Sequence, residues 1–223
     1  MHILGIHYIL QPYNYDLSDS SSIPNLFVAH LTLVLITMLI SIAIAVPVGI
    51  LLTRYRRFYL PTITVSGLLY TIPSIAAFAL LIPVTGLSFA TVLIPLVLYN
   101  QLVLIRNTTT AINGVDPLLL EVGRAMGMTS WELLWRVTLP LALPVIIAGI
   151  RIATVTTVGI ASLAYLAGQS SLGNLIFQNI VSNDTDAVVA GAILTALFAI
   201  VADLLLLALQ VSLNRGRSAL AVA

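Results

Sequence analysis

The chain has 223 residues, 60% of them hydrophobic and only 8% charged, with a mean hydropathy of +1.10, against about 45–50% apolar and about 25% charged in an ordinary soluble domain. This excludes a water-soluble globular fold, which needs charge along every element to keep its outer face wet. The formal net charge of +1 carries no footprint for nucleic acid, and the lack of cysteine excludes disulfides, thiolate metal sites and cysteine nucleophiles.

Residues 1–25 are polar and turn-forming, with Asp16, Asp19, the serine run Ser20 to Ser22 and Pro24. No arginine precedes Arg54, so this stretch lacks the basic start of a secretory signal peptide and is read as an extracellular segment. His2, His7 and His30 lie near this end and make no spaced ligand set, so no metal site is expected.

Apolar runs long enough to cross a hydrocarbon core of about 30 Å occur at 26–52, 60–83, 89–105, 141–166 and 187–213. They predict an all-α integral membrane protein with five transmembrane helices filling 26–213. All nine basic residues are arginine: Arg54, Arg56 and Arg57 follow the first run, Arg106, Arg124 and Arg136 fall between the third and fourth, Arg151 lies within the fourth, and Arg215 and Arg217 follow the fifth. By the positive-inside rule the chain is oriented N-out and C-in, with 214–223 a cytoplasmic tail. Several prolines lie in or near the runs, and Pro73 predicts a bend in the second.

Between the third and fourth runs, 107–139 is long for a connector. Asp116 before Pro117 is a helix start, and Gly127 suits the left-handed residue that ends that helix. Thr129-Ser130-Trp131-Glu132 is a capping box that opens a second helix running into the fourth span. Leu, Met and Trp side chains on a capped helix pair at the membrane surface call for a soluble partner.

The string Glu121-Val122-Gly123-Arg124-Ala125-Met126-Gly127, then nine residues, then Val137-Thr138-Leu139-Pro140 resembles the EAA loop of ABC importer permeases. Glu121, Gly127, Leu139 and Pro140 stand at the family's positions, Val137 replaces isoleucine, and Val122 and Gly123 replace two alanines, the glycine weakening the helix by about 1 kcal/mol. The resemblance spans 52–181 and is nearest to permeases for glycine betaine, choline, carnitine and related quaternary ammonium osmoprotectants. Tyr70-Thr71-Ile72-Pro73-Ser74, Arg106-Asn107-Thr108, Gly114-Val115-Asp116-Pro117 and Leu139-Pro140-Leu141-Ala142-Leu143-Pro144 also carry it.

The resemblance implies a type I ABC importer permease fold in a bacterial cytoplasmic (inner) membrane, with the loop 107–139 acting as coupling helices. Glu121, Arg124, Ala125, Gly127, Met128, Thr129 and Trp131 are then expected to contact an ATPase. The implied partners are two ATP-binding cassette subunits, a second permease copy or close homologue, and a separate extracellular binding protein. This chain would be non-catalytic and bind no cofactor, ATP and Mg belonging to the ATPase. Tyr70, Pro73, Ser74, Tyr99, Asn100 and Gln101 are candidates to line the translocation path, each of them equally able to serve helix packing.

Arg151 and Asp203 sit about 16 Å from the cytoplasmic ends of the fourth and fifth spans, and the cost of a lone charge at that depth predicts an ion pair between them. Other classes fit less well. A secondary transporter would show an inverted repeat or several deep acids, where this chain has Asp203 alone. An intramembrane enzyme needs a nucleophile with a base, or a metal set, in its spans. Within the ABC reading, import of methionine or another amino acid is the alternative to an osmoprotectant.

Overall fold

The computed structural model describes residues 5–218; His2, with the rest of 1–4, and the end of the predicted tail, 219–223, lie outside the described residues. A short helix α1 (Ile6–Ile9) and a turn at Pro12–Tyr15 lead into α2 (Ile23–Arg54), which Pro24 opens in its first turn. The helices α3 (Tyr59–Thr71) and α4 (Ser74–Thr85) follow, then α5 (Phe89–Asn113), α6 (Pro117–Ala125), α7 (Ser130–Leu133), α8 (Leu139–Ala161), α9 (Gly173–Val181) and α10 (Thr185–Ser218). Among the described residues four stretches, Ile23–Arg54, Phe89–Asn113, Ser130–Ala167 and Thr185–Leu213, are each long and apolar enough to cross a membrane, and α3 with α4 makes a fifth as a bent pair.

The core is a bundle of α2, α5 and α8. On α2 the residues His30, Leu33, Val34, Thr37, Met38, Ser41 and Ala45 recur every three or four positions and are buried, the spacing of one helix face. On α8 the buried face is Ala142, Ile146, Gly149, Ala153, Thr157 and Ala161, mostly small residues that let neighbouring backbones approach where no water drives association. A second apolar cluster of Ala111, Ile112, Val115, Ala142 and Ile146 fastens the loop end of α5 to α8, and so fixes where α6 leaves the bundle.

Proline acts in opposite ways in two elements. The second apolar run bends at Pro73 as expected, and sharply: α3 and α4 meet at 91°. Pro73 forces the residue before it out of the helical region, and both Ile72 (ψ 124°) and Pro73 (ψ 135°) are extended, so two consecutive residues leave the helix. The helix that begins at Ser130 runs on into the fourth span as expected, and passes Pro140 without a break. It widens into a π turn at Leu134–Thr138, where the Thr138 hydroxyl donates to the Leu133 carbonyl at 3.2 Å, and continues as α8. Proline has no N–H to donate one turn back and its ring crowds that carbonyl; a widened turn absorbs both problems without ending the helix.

Candidate functional site: the coupling loop and the broken span

Each end of α6 is secured by the residue that the spacing marked. The Asp116 carboxylate accepts the Leu118 N–H at 2.9 Å, with Pro117 at the first helical position. Past the other end, Gly127 has φ +83°, a backbone that a side chain would strain. Its N–H donates to the Arg124 carbonyl at 2.9 Å, and Met128 N–H donates to the Gly123 carbonyl at 3.1 Å, satisfying the last free carbonyls of α6.

The second start is a closed capping box: Thr129 N–H donates to a Glu132 carboxylate oxygen at 3.0 Å, and Glu132 N–H donates to the Thr129 hydroxyl at 3.3 Å. The Thr129 N–H and hydroxyl, helped by the charge of Arg136, hold the Glu132 carboxyl below its ordinary 4.5. Gly123 is buried between α6 and α7. A Cβ there would lie 2.6 Å from Leu133 Cδ1, so the glycine costs helix propensity but lets the two helices close.

This clasp leaves Leu118, Leu119, Val122 and Met126 exposed on α6, beside exposed Glu121, Arg124 and Ala125. Among the described residues of this chain, Glu121 and Arg124 side chains have no hydrogen-bond or ion-pair partner. Trp131, on α7, is also exposed. It packs edge to face on Trp135 at 5.4 Å, and both rings border a groove with Ile50 and Leu51 of α2.

The six candidate path residues separate into two groups. Tyr70, Pro73 and Ser74 flank the break between α3 and α4, with Tyr70 and Pro73 exposed. Tyr99 supports the break from α5: its hydroxyl donates to the Ile72 carbonyl at 2.8 Å, giving a partner to a carbonyl that the break leaves without a helical one, and its ring meets Tyr70 at 5.8 Å. Asn100 faces inward instead. Its amide donates to the Thr157 hydroxyl at 2.9 Å and to the Ser41 hydroxyl at 3.3 Å, tying α5 to α8 and α2. Gln101 is also buried and donates back to the Val97 carbonyl of its own helix at 3.0 Å. Asn100 and Gln101 thus serve the bundle and line no surface of this chain.

Arg151 and Asp203 meet. Arg151 Nε and Nη2 donate to the two Asp203 oxygens at 2.8 Å each, and Nη1 donates to Gln210 Oε1 at 3.0 Å. The forked geometry joins α8 to α10 within the spans.

A family model described as binding-protein-dependent transport system inner membrane component matches residues 45–216, which contain the broken span, the loop and the ion pair. The chain belongs to this family. This permease is 39% identical over 206 residues to the osmoprotectant import permease protein OsmW of Salmonella typhimurium, covering 90% of this chain and 96% of that one. It is 41% identical over 181 residues to the glycine betaine/carnitine/choline transport system permease protein OpuCD of Bacillus subtilis, covering 81% and 79%. Its fold is that of a chain in an inward-facing structure of the MetNI methionine ABC transporter, with a TM-score of 0.75 at 20% identity over 83% of this chain and 93% of the other.

One buried polar residue was not given a role from sequence. His30 is fully buried on α2; its Nε2 bonds the Val158 carbonyl at 3.1 Å and its Nδ1 accepts the Leu172 N–H at 3.2 Å. One ring nitrogen accepts, so the other carries the proton, and the neutral ring pins α2 to α8 and to the segment before α9. Its one signal was a single histidine inside a long uncharged apolar run.

Proposed function

We propose that this permease forms the membrane path of an ATP-driven importer for quaternary ammonium osmoprotectants such as glycine betaine, choline and carnitine. The observation that carries the reading is the run of relatives, 37–41% identical over most of the chain, whose names specify those solutes. The complete importer contains a second permease copy or close homologue, two ATPase subunits and an extracellular binding protein, with the chain oriented N-out and C-in. Hydrolysis, with its ATP and Mg, belongs to the ATPase, and this chain is non-catalytic.

In this reading the exposed face of α6, with Glu121 at its centre, sits in the ATPase. Closure of that subunit pushes the clasp of α6 and α7, and the unbroken run from Ser130 through the π turn carries the displacement into α8. The break at Ile72–Pro73 supplies a path wall. It exposes Tyr70, an aromatic face that a quaternary ammonium ion can pass by cation–π attraction, and its apolar outer face gives the second permease a surface to cover. Affinity resides largely in the binding protein.

The test is uptake in cells lacking their own osmoprotectant importers but supplied with this permease and its ATPase and binding protein. Labelled glycine betaine or choline should accumulate, and excess methionine should not compete. Uptake of methionine without either quaternary amine would overturn the substrate and leave the family assignment intact.

A further inference from the structure

The groove beside the loop is not used by the coupling or the path described above. It has a volume of about 720 Å³ and runs between α2 and α8, with Val46, Ile50 and Leu51 on one wall, Leu143 on the other, and Trp131 and Trp135 at its loop end. Its lining carries no charged residue. We propose that the groove is the seat of an anionic phospholipid, holding one acyl chain between α2 and α8 with the phosphate at Arg54 on the rim.

The depth of the groove suits a lipid tail. Along α2 the lining extends from Ile42 to Leu51, and along α8 from Leu139 to Ile150. At 1.5 Å per residue these are about 14 and 16 Å, half of a hydrocarbon core of about 30 Å. The groove therefore starts at the membrane surface that carries the loop and ends near the midplane, the reach of a lipid tail from one leaflet. Tryptophans at its mouth stand where amphipathic rings settle, at headgroup level.

Charge selects the headgroup. Arg54 lies four residues past Ile50 and three past Leu51, on the same face of α2 and one turn nearer the surface. Arg54 is exposed, whereas Arg136 faces a separate hollow beside Leu119 and Val122 of α6. A second copy of this chain is the weaker occupant: a two-fold contact places a patch against itself, which would set Arg54 against its own counterpart. The leaflet named follows the orientation proposed above, whereas the groove and its rim do not depend on it.

The two tryptophans of the chain are Trp131 and Trp135, so its intrinsic tryptophan fluorescence reports on this groove. The full-length permease, reconstituted in mixed phosphatidylglycerol and phosphatidylcholine vesicles, is measured with one or the other lipid brominated on its acyl chains. Brominated phosphatidylglycerol should quench at mole fractions at least about fivefold lower than brominated phosphatidylcholine, the preference expected from one arginine at the membrane surface. Replacing Arg54→Gln, at an exposed position, should make the two lipids equal while quenching persists. Equal quenching of the unaltered chain by both lipids would overturn the proposal. So would quenching by neither, which would mean that protein fills the groove.

Discussion

The bundle of α2, α5 and α8 and the periphery of α3, α4 and α10 are built from similarly apolar sequence but packed in opposite ways. Half of the apolar stretch of α5 is buried within the chain, whereas 6% of that of α10 is; α3 and α4 bury only Ser66 and Phe78. Apolarity therefore does not sort core from surface in this chain, because lipid or a second permease serves an exposed leucine as well as a core does. What distinguishes the bundle is small residues at the helix crossings and polar side chains that hydrogen-bond between helices, and α10 is held to it through the forked ion pair.

On this contrast the joint to α10 is the most sensitive point. Arg151→Leu leaves the Asp203 charge without its partner inside the membrane, and should lower the yield of folded permease more than the loss of any single hydrogen bond in the bundle does. Arg151→Leu with Asp203→Leu should recover most of that yield, measured by monodisperse protein after extraction; failure to recover would mean that the charges act in transport as well.

Within the bundle, Asn100→Leu removes the bonds to Thr157 and Ser41 and should cost about 1–2 kcal/mol, read as lower thermal stability. A path-lining residue would instead lose transport at unchanged stability. At the break, Tyr99→Phe should cost about 1 kcal/mol for the lost bond to the Ile72 carbonyl. It should lower uptake more than stability, since it loosens α3 against α4 without touching the core.

The smallest effect is in the loop. Glu132 has a carboxyl held below its ordinary value, so its capping contribution is fully present above that value, near 4.5, and is lost as pH falls through the depressed one. Amide exchange at Thr129 should therefore rise as pH is taken below 4.5 relative to a Glu132→Gln variant, whose exchange carries no such step.

Features whose cause is local were legible from sequence. The apolar runs, the two helix starts in the loop and the left-handed Gly127 each depend on a few adjacent residues. The Arg151–Asp203 pair was legible because two charges in otherwise uncharged spans have few other partners. The 91° break was only half legible: Pro73 announces a bend, but Tyr99, a residue of another helix, supplies the partner for the Ile72 carbonyl at the break. Asn100 shows the remaining limit. It has chemistry suited to the role expected of it, but which way a residue faces on an apolar helix depends on packing that hydrophobic periodicity does not reveal.

The central claim is that the loop 107–139 couples this permease to ATP hydrolysis during import of quaternary ammonium compounds. It is tested most directly by ATP hydrolysis of the lipid-reconstituted complex with its ATPase and binding protein, comparing the native chain with Glu121→Lys. Glycine betaine or choline should stimulate hydrolysis in the native complex, and the substitution should abolish that stimulation while the subunits remain assembled. Stimulation that survives Glu121→Lys unchanged would contradict the account.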